Sequence, residues 1–368
     1  MMSISPYSLN RRQLLGAGVS AAAAAGAAAL VGTGTGTAAA QSQPVGGRYR
    51  IDLHAHFLPP EYRAALISHG YFTVGGYPTP QWSPEEAIDF MDRWGIQAQA
   101  LSVSDPGVSF LEPREARDMA RYCNTYAADL IAREGQRFGA FAVLPMPDIA
   151  ASIEEAIHAL DVLRLDGVIL LTAYNGVYLG DPRYEPLMAA LDSRAAYVFV
   201  HPGSLPSDAK PELPLPDFLY EYTFDTTRAA TFMMTTGVRN RYPNIRFQLA
   251  HAGGTLPFLS KRIGVVTETP LGDAALPPVS LLGAPDLIGS YFYDTALSAS
   301  EAAMRAVLAA SDRAQIVFGS DWPFSALTLS GSGDPAPDLG SVFTAAERYE
   351  VEHINPLAQL PRLRDAVE

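Results

Sequence analysis

From residue 48 onward, short runs of β-branched, aromatic and aliphatic residues alternate with longer stretches whose apolar positions recur every three or four residues. The first pattern suits a buried strand and the second an amphipathic helix, so the chain reads as repeated βα units around a parallel sheet. Eight strands are predicted, at residues 49–54, 97–103, 138–144, 167–171, 197–201, 245–251, 290–295 and 315–319. Helices are predicted at 84–94, 114–133, 152–163, 186–195, 224–239 and 299–310. Eight units over about 320 residues predict a single α/β domain, a (β/α)8 TIM barrel, because that fold spans roughly 200 to over 400 residues. Gly253-Gly254 follows a strand but lacks the rest of a dinucleotide or phosphate-loop fingerprint, so neither competes.

Three segments interrupt the alternation: Pro-rich 206–217, then 268–286, then Gly/Ser/Pro-rich 325–341. The first and third leave from C-terminal strand ends, where a barrel keeps its active site, and are expected to wall or cover it unless they are tolerated surface insertions. Residues 1–40 stand outside the pattern altogether. Arg11-Arg12, an Ala/Gly-rich apolar stretch and Ala38-Ala39-Ala40 have the form of a twin-arginine export signal with its cleavage site. The expectation is a signal at 1–40 and a catalytic domain at 41–368, periplasmic or extracellular. A segment so poor in Leu, Ile and Phe is weakly hydrophobic for a transmembrane helix, so no stable membrane insertion is expected after cleavage.

Composition narrows the partners. Hydrophobic residues make up 48% and charged residues 18%, the profile of a compact globular enzyme. The formal charge is -13 and falls to about -15 without Arg11 and Arg12, since the first 40 residues hold no acid. With Lys210 and Lys261 as the only lysines and no arginine cluster, nucleic acid is not an expected partner. Cys123 is the only cysteine, which excludes an intrachain disulfide and a cysteine-built zinc site. It lies in a helical run and reads as a packing residue.

The candidate chemistry gathers at strand ends. His54 and His56 stand two apart at the end of the first strand, so the strand's period of two turns both to one side. His201 ends the fifth strand, His251 the sixth and Asp321 the eighth. Neutral imidazoles with one carboxylate form a mixed nitrogen and oxygen set suited to zinc, and also to manganese or iron. Asp294 ends the seventh strand and either orients a ligand or caps the next helix. His69, His158 and His353 lie away from strand ends and read as surface or packing residues.

This arrangement resembles the amidohydrolase superfamily, whose members carry HxH after strand one, His after strands five and six, and Asp after strand eight. Two-metal members also carry a carboxylated lysine after strand four. Residues 167–172 offer none, so a single ion is implied. The stretch 54–62 and Gly319-Ser320-Asp321-Trp322-Pro323-Phe324 resemble the opening and closing motifs of the aminocarboxymuconate-semialdehyde decarboxylase branch, and within it the 6-methylsalicylate decarboxylases are most similar. The resemblance implies one divalent ion, zinc first and manganese next, held by His54, His56, His201 and Asp321. It implies that His251 and Asp321 serve as catalytic acid/base groups, with His251 as a fifth ligand the alternative. Arg262 matches an arginine that in the branch reaches a neighbouring subunit's substrate carboxylate, implying a homodimer, or else it is a surface helix residue. Trp82, Trp322, Phe324 and Tyr222 are candidate walls for an aromatic ring or plain core. The implied reaction is nonoxidative decarboxylation of a small ortho-hydroxybenzoate such as 6-methylsalicylate. The rivals are metal-dependent hydrolysis of a lactone or amide, and an exported noncatalytic protein that binds a metal or ligand.

Overall fold

Eight parallel strands follow one another in chain order, each hydrogen-bonded to the next. They are β1 (Arg50–His56), β2 (Ile96–Ser102), β3 (Phe138–Ala142), β4 (Gly167–Leu171), β5 (Tyr197–His201), β6 (Arg246–Leu249), β7 (Phe292–Asp294) and β8 (Ile316–Val317). The computed structural model describes residues 47–203, 213–268, 284–326 and 333–368. The expected export signal at 1–40 lies outside them, as do parts of the three interrupting segments.

Backbone hydrogen bonds join the first strand to the residues that follow the last. The Leu53 N–H donates to the Phe318 carbonyl at 2.9 Å, the Asp321 N–H to the His54 carbonyl at 2.7 Å, and the His56 N–H to the Trp322 carbonyl at 2.8 Å. This seam turns the sheet into a nearly closed (β/α)8 barrel and leaves little unpaired edge. Every residue of β3, β4 and β5 is buried, as expected of parallel strands with helices outside and side chains filling the interior. The interior also holds polar side chains. Asp52 on β1 accepts from the His54 N–H (3.0 Å), Gln99 Nε2 on β2 (3.0 Å) and the Ser320 hydroxyl (2.6 Å), clamping the end of β1 to the chain after β8.

The helices pack outside. Pro84–Arg93, Pro113–Glu134 and Glu301–Ala310 match their expected ranges within a few residues. The helix expected at 152–163 begins at Ile149, where Asp148 caps it by accepting from the Ala151 N–H at 3.1 Å, and finishes in a π turn, His158–Val162. That expected at 224–239 starts earlier and breaks in two, Glu221–Thr235 and Val238–Arg241, because Gly237 between them takes a left-handed φ of 77°. Helices Pro60–Ser68 and Leu256–Glu268 are additions to the expected set, as is the C-terminal run Ala345–Tyr349, Asn355–Gln359 and Pro361–Val367. The last is tied to the barrel by Arg362, which pairs with buried Asp166 at 2.8 Å. Cys123 is free and buried in Pro113–Glu134.

Candidate metal centre

His54 and His56 point into the barrel mouth from β1, joined by His201 from the end of β5 and Asp321 from the chain after β8; all four are buried. One donor atom from each lies within 4.8 Å of the others. His54 Nε2 stands 3.2 Å from His56 Nε2, and Asp321 Oδ1 stands 3.4 and 3.1 Å from those two nitrogens. Donors of one cation bonded at about 2.0–2.2 Å sit no more than roughly 4.4 Å apart, so the cluster closes around a single ion with little movement.

The other face of each ring fixes which nitrogen faces inward. His54 Nδ1 lies 2.9 Å from Asp294 Oδ2, and His201 Nδ1 lies 2.8 Å from the Pro202 carbonyl. His56 Nδ1 lies 2.9 Å from the Ser102 hydroxyl, which itself donates to the Ala55 carbonyl at 3.1 Å. A carbonyl can only accept, and a hydroxyl whose proton is spent elsewhere accepts too, so the δ nitrogens carry the hydrogens and the ε nitrogens offer lone pairs. His201 Nε2 is buried with no hydrogen-bond partner. An orphaned buried acceptor is costly unless something takes it, and a cation among these donors does.

The charges ask for the same ion. Burial works to raise the Asp321 carboxyl, but neighbouring His54 and bonds to His54 and His56 hold it well below the usual carboxylate range. Asp294 is likewise lowered, by His54 against burial. Burial works to lower His54, yet Asp294 and Asp321 push it up to about 10, the mark of a pocket with negative charge to be balanced. Burial first, then neighbouring imidazoles, lowers His201 and keeps it neutral, as a ligand must be.

His251 completes the group. Its Nδ1 lies 3.1 Å from the Ala296 carbonyl, so its Nε2 is the free nitrogen, and burial followed by the charge on His54 lowers its pKa. Residues 251–254 all adopt left-handed backbone, with φ of 55°, 56°, 70° and 63°. This run ends the strand early and swings His251 over the mouth. A Cβ at Gly254 would stand 1.9 Å from the Thr223 carbonyl oxygen, so no other residue fits there. Gly254→Ala is expected to lower stability by at least about 2 kcal/mol, from left-handed strain plus displaced backbone, seen as a lower melting temperature of the purified variant. Asp321 is also left-handed, φ 59°, and a Cβ on Gly319 just before it would stand 2.6 Å from His54 Cβ.

A narrow, tightly packed cleft opens on this cluster. His201, His251 and Asp321 line its floor; Val74, Tyr77, Phe218, Leu297 and Phe324 form apolar walls, with Ser104 and Tyr222 as polar members. Phe324 meets His56 edge-on with centroids 5.5 Å apart. No lysine or arginine lines the cavity among the described residues. Two expected walls lie elsewhere. Trp322 stacks on Phe90 at 5.4 Å and faces a broader groove on the far side of Pro323, away from the histidines. Trp82 packs between Phe57 and Tyr126 (5.9 and 6.3 Å) and lines neither space, because its indole turns into the core. Arg262 is exposed on helix Leu256–Glu268, outside its own chain's cavity. Ser102 carried no sequence signal beyond its place at the end of β2, two residues before Ser104 in the same inward register.

The amidohydrolase family model matches residues 51–362. Decarboxylase yanB of Aspergillus niger is 38% identical over 296 residues, covering 75% of this chain and 77% of its own. The 6-methylsalicylic acid decarboxylase of Penicillium expansum is 35% identical over 282 residues, covering 74% and 85%. A dihydroxybenzoic acid decarboxylase of Polaromonas sp. JS666, solved with bound manganese and 2-nitroresorcinol, superposes with a TM-score of 0.66 at 20% identity. It covers 85% of this chain and 96% of its own and shows the shared fold.

Proposed function

This chain belongs to the amidohydrolase family, and from that premise we propose that it is a metal-dependent carboxy-lyase removing the carboxylate of a hydroxybenzoate of the 6-methylsalicylate kind. The convergence of three Nε2 atoms and Asp321 Oδ1 beside an aromatic-walled cavity carries the reading. His54, His56, His201 and Asp321 would hold one divalent ion, zinc by donor type with manganese as the alternative. Such an ion supplies electrostatic stabilisation to a chelated carboxylate and ortho phenolic oxygen. Phe324, Phe218 and Leu297 hold the ring and exclude water. His251, its Nδ1–H anchored on the Ala296 carbonyl, takes up a proton at Nε2 and, as the imidazolium, delivers it to the ring carbon bearing the carboxylate. The bond to the carboxylate then breaks, its electron pair returns to the ring, and CO2 leaves. One proton is consumed per turnover, and His251 recovers it from solvent.

The test is a CO2-release screen of purified, metal-quantified protein over salicylate-type and dihydroxylated benzoates. CO2 and the corresponding phenol in equal amounts are expected, fastest with an alkyl-substituted salicylate. Hydrolysis of a lactone or amide with no CO2 would replace the decarboxylase reading with the hydrolase one.

We also propose a homodimer in which Arg262 of one copy faces the substrate carboxylate in another. Its exposed position and the lack of a cationic wall in the cavity among the described residues support this. Arg262→Ala is then expected to raise KM about tenfold or more while metal content stays unchanged; an unaltered KM would return Arg262 to the surface role. Export through the twin-arginine route, with loss of residues 1–40, belongs to the same proposal and is checked by the N-terminus of the secreted protein.

A further inference from the structure

We infer that Asp294 is a positioning residue that fixes metal ligand His54 and proton carrier His251 in register with each other. The inference rests on the roles proposed above for those two histidines. Asp294 ends β7, is fully buried and lies outside the cavity lining, so it acts through the groups it holds. Its Oδ2 accepts from His54 Nδ1 and Gln248 Nε2, each at 2.9 Å. Its Oδ1 accepts from the His251 N–H at 2.9 Å and the Ala296 N–H at 3.2 Å. The Ala296 carbonyl in turn accepts from His251 Nδ1. One carboxylate thus holds a ring on β1 and the backbone after β6 and, through Ala296, the ring of His251.

Capping is not its task, because the next helix is capped by Ser300, which accepts from the Ala303 N–H. Four donors converge on two oxygens, which only a carboxylate can satisfy; an amide has one oxygen and turns N–H groups towards N–H groups. The left-handed backbone at His251 and Ala252 adds a reason for the tether, since such residues persist only where surroundings over-determine them.

Asp294→Asn keeps the shape and loses part of this set. Chelator competition on the metal-free protein, with zinc and with manganese, is expected to show affinity weaker by about 10- to 100-fold. At saturating metal the variant is expected to turn over more slowly, whereas in a His251→Ala background Asp294→Asn should change the residual rate no further. Unchanged metal affinity, or rate losses that multiply across the two backgrounds, would overturn the inference. If no hydroxybenzoate is decarboxylated even by the wild type, the metal measurement still decides the His54 half. Ring N–H exchange of His251 by NMR, expected to quicken in Asp294→Asn, decides the other half without substrate. Should Asp294→Asn not fold, Asp294→Glu keeps the charge, moves it by a methylene, and is read by the same two measurements.

Discussion

Asp321→Asn is expected to reduce turnover by at least about a thousandfold and to weaken metal binding together with it. Asp321 is the only carboxylate in the four-donor set, and its Oδ1 lies 3.1 Å from His56 Nε2 and 3.4 Å from His54 Nε2. An amide oxygen is a neutral, poorer donor, so the substitution removes the negative charge that balances a divalent ion among neutral imidazoles. Backbone strain will not confuse the result, because asparagine tolerates the left-handed φ of 59° as well as aspartate does. Metal analysis after dialysis and the rate at saturating metal are the two measurements. A variant with near-normal rate and one retained ion would remove Asp321 from the ligand set.

His251→Ala separates the proposed proton carrier from the proposed ion. Loss of a positioned acid/base group lowers rates by about 10²- to 10⁴-fold, and a fall of that size is expected with the metal content unchanged. His251 lines the cavity outside the four-donor cluster, its ring 4.9 Å from that of His54 and 5.7 Å from that of His201, while one of its nitrogens also groups with His54 and Asp294, so metal content is the measurement that separates the two roles. If the ion is lost along with activity, His251 is a fifth ligand instead. A near-normal rate would leave Asp321 as the sole acid.

Much of the site was legible because strand periodicity is local. HxH at the end of a predicted strand requires two rings on one face, whatever the rest of the chain does, and the alternation of β and α runs places every C-terminal strand end at one mouth. Strand cores such as Gly167–Leu171 and Tyr197–His201 were readable for the same reason. The ends of β6, β7 and β8 were not, since residues there continue an apolar run while the backbone has already left the sheet to aim His251 and Asp321. The aromatic residues divide likewise. Phe324 and Trp322 belong to one motif, yet two residues and the turn at Pro323 send one ring into the metal cavity and the other onto Phe90. No property of tryptophan distinguishes a core indole such as Trp82 from a wall.

The sequence by itself determined the eightfold repeat, the strand-end histidines and aspartate, and the lack of a lysine after β4, all of which depend on residue type and short-range spacing. Only the tertiary structure decided which nitrogen of His54 and of His56 faces the donor cluster. That choice belongs to partners 46 and 240 residues away, Ser102 for His56 and Asp294 for His54, brought alongside by closure of the barrel.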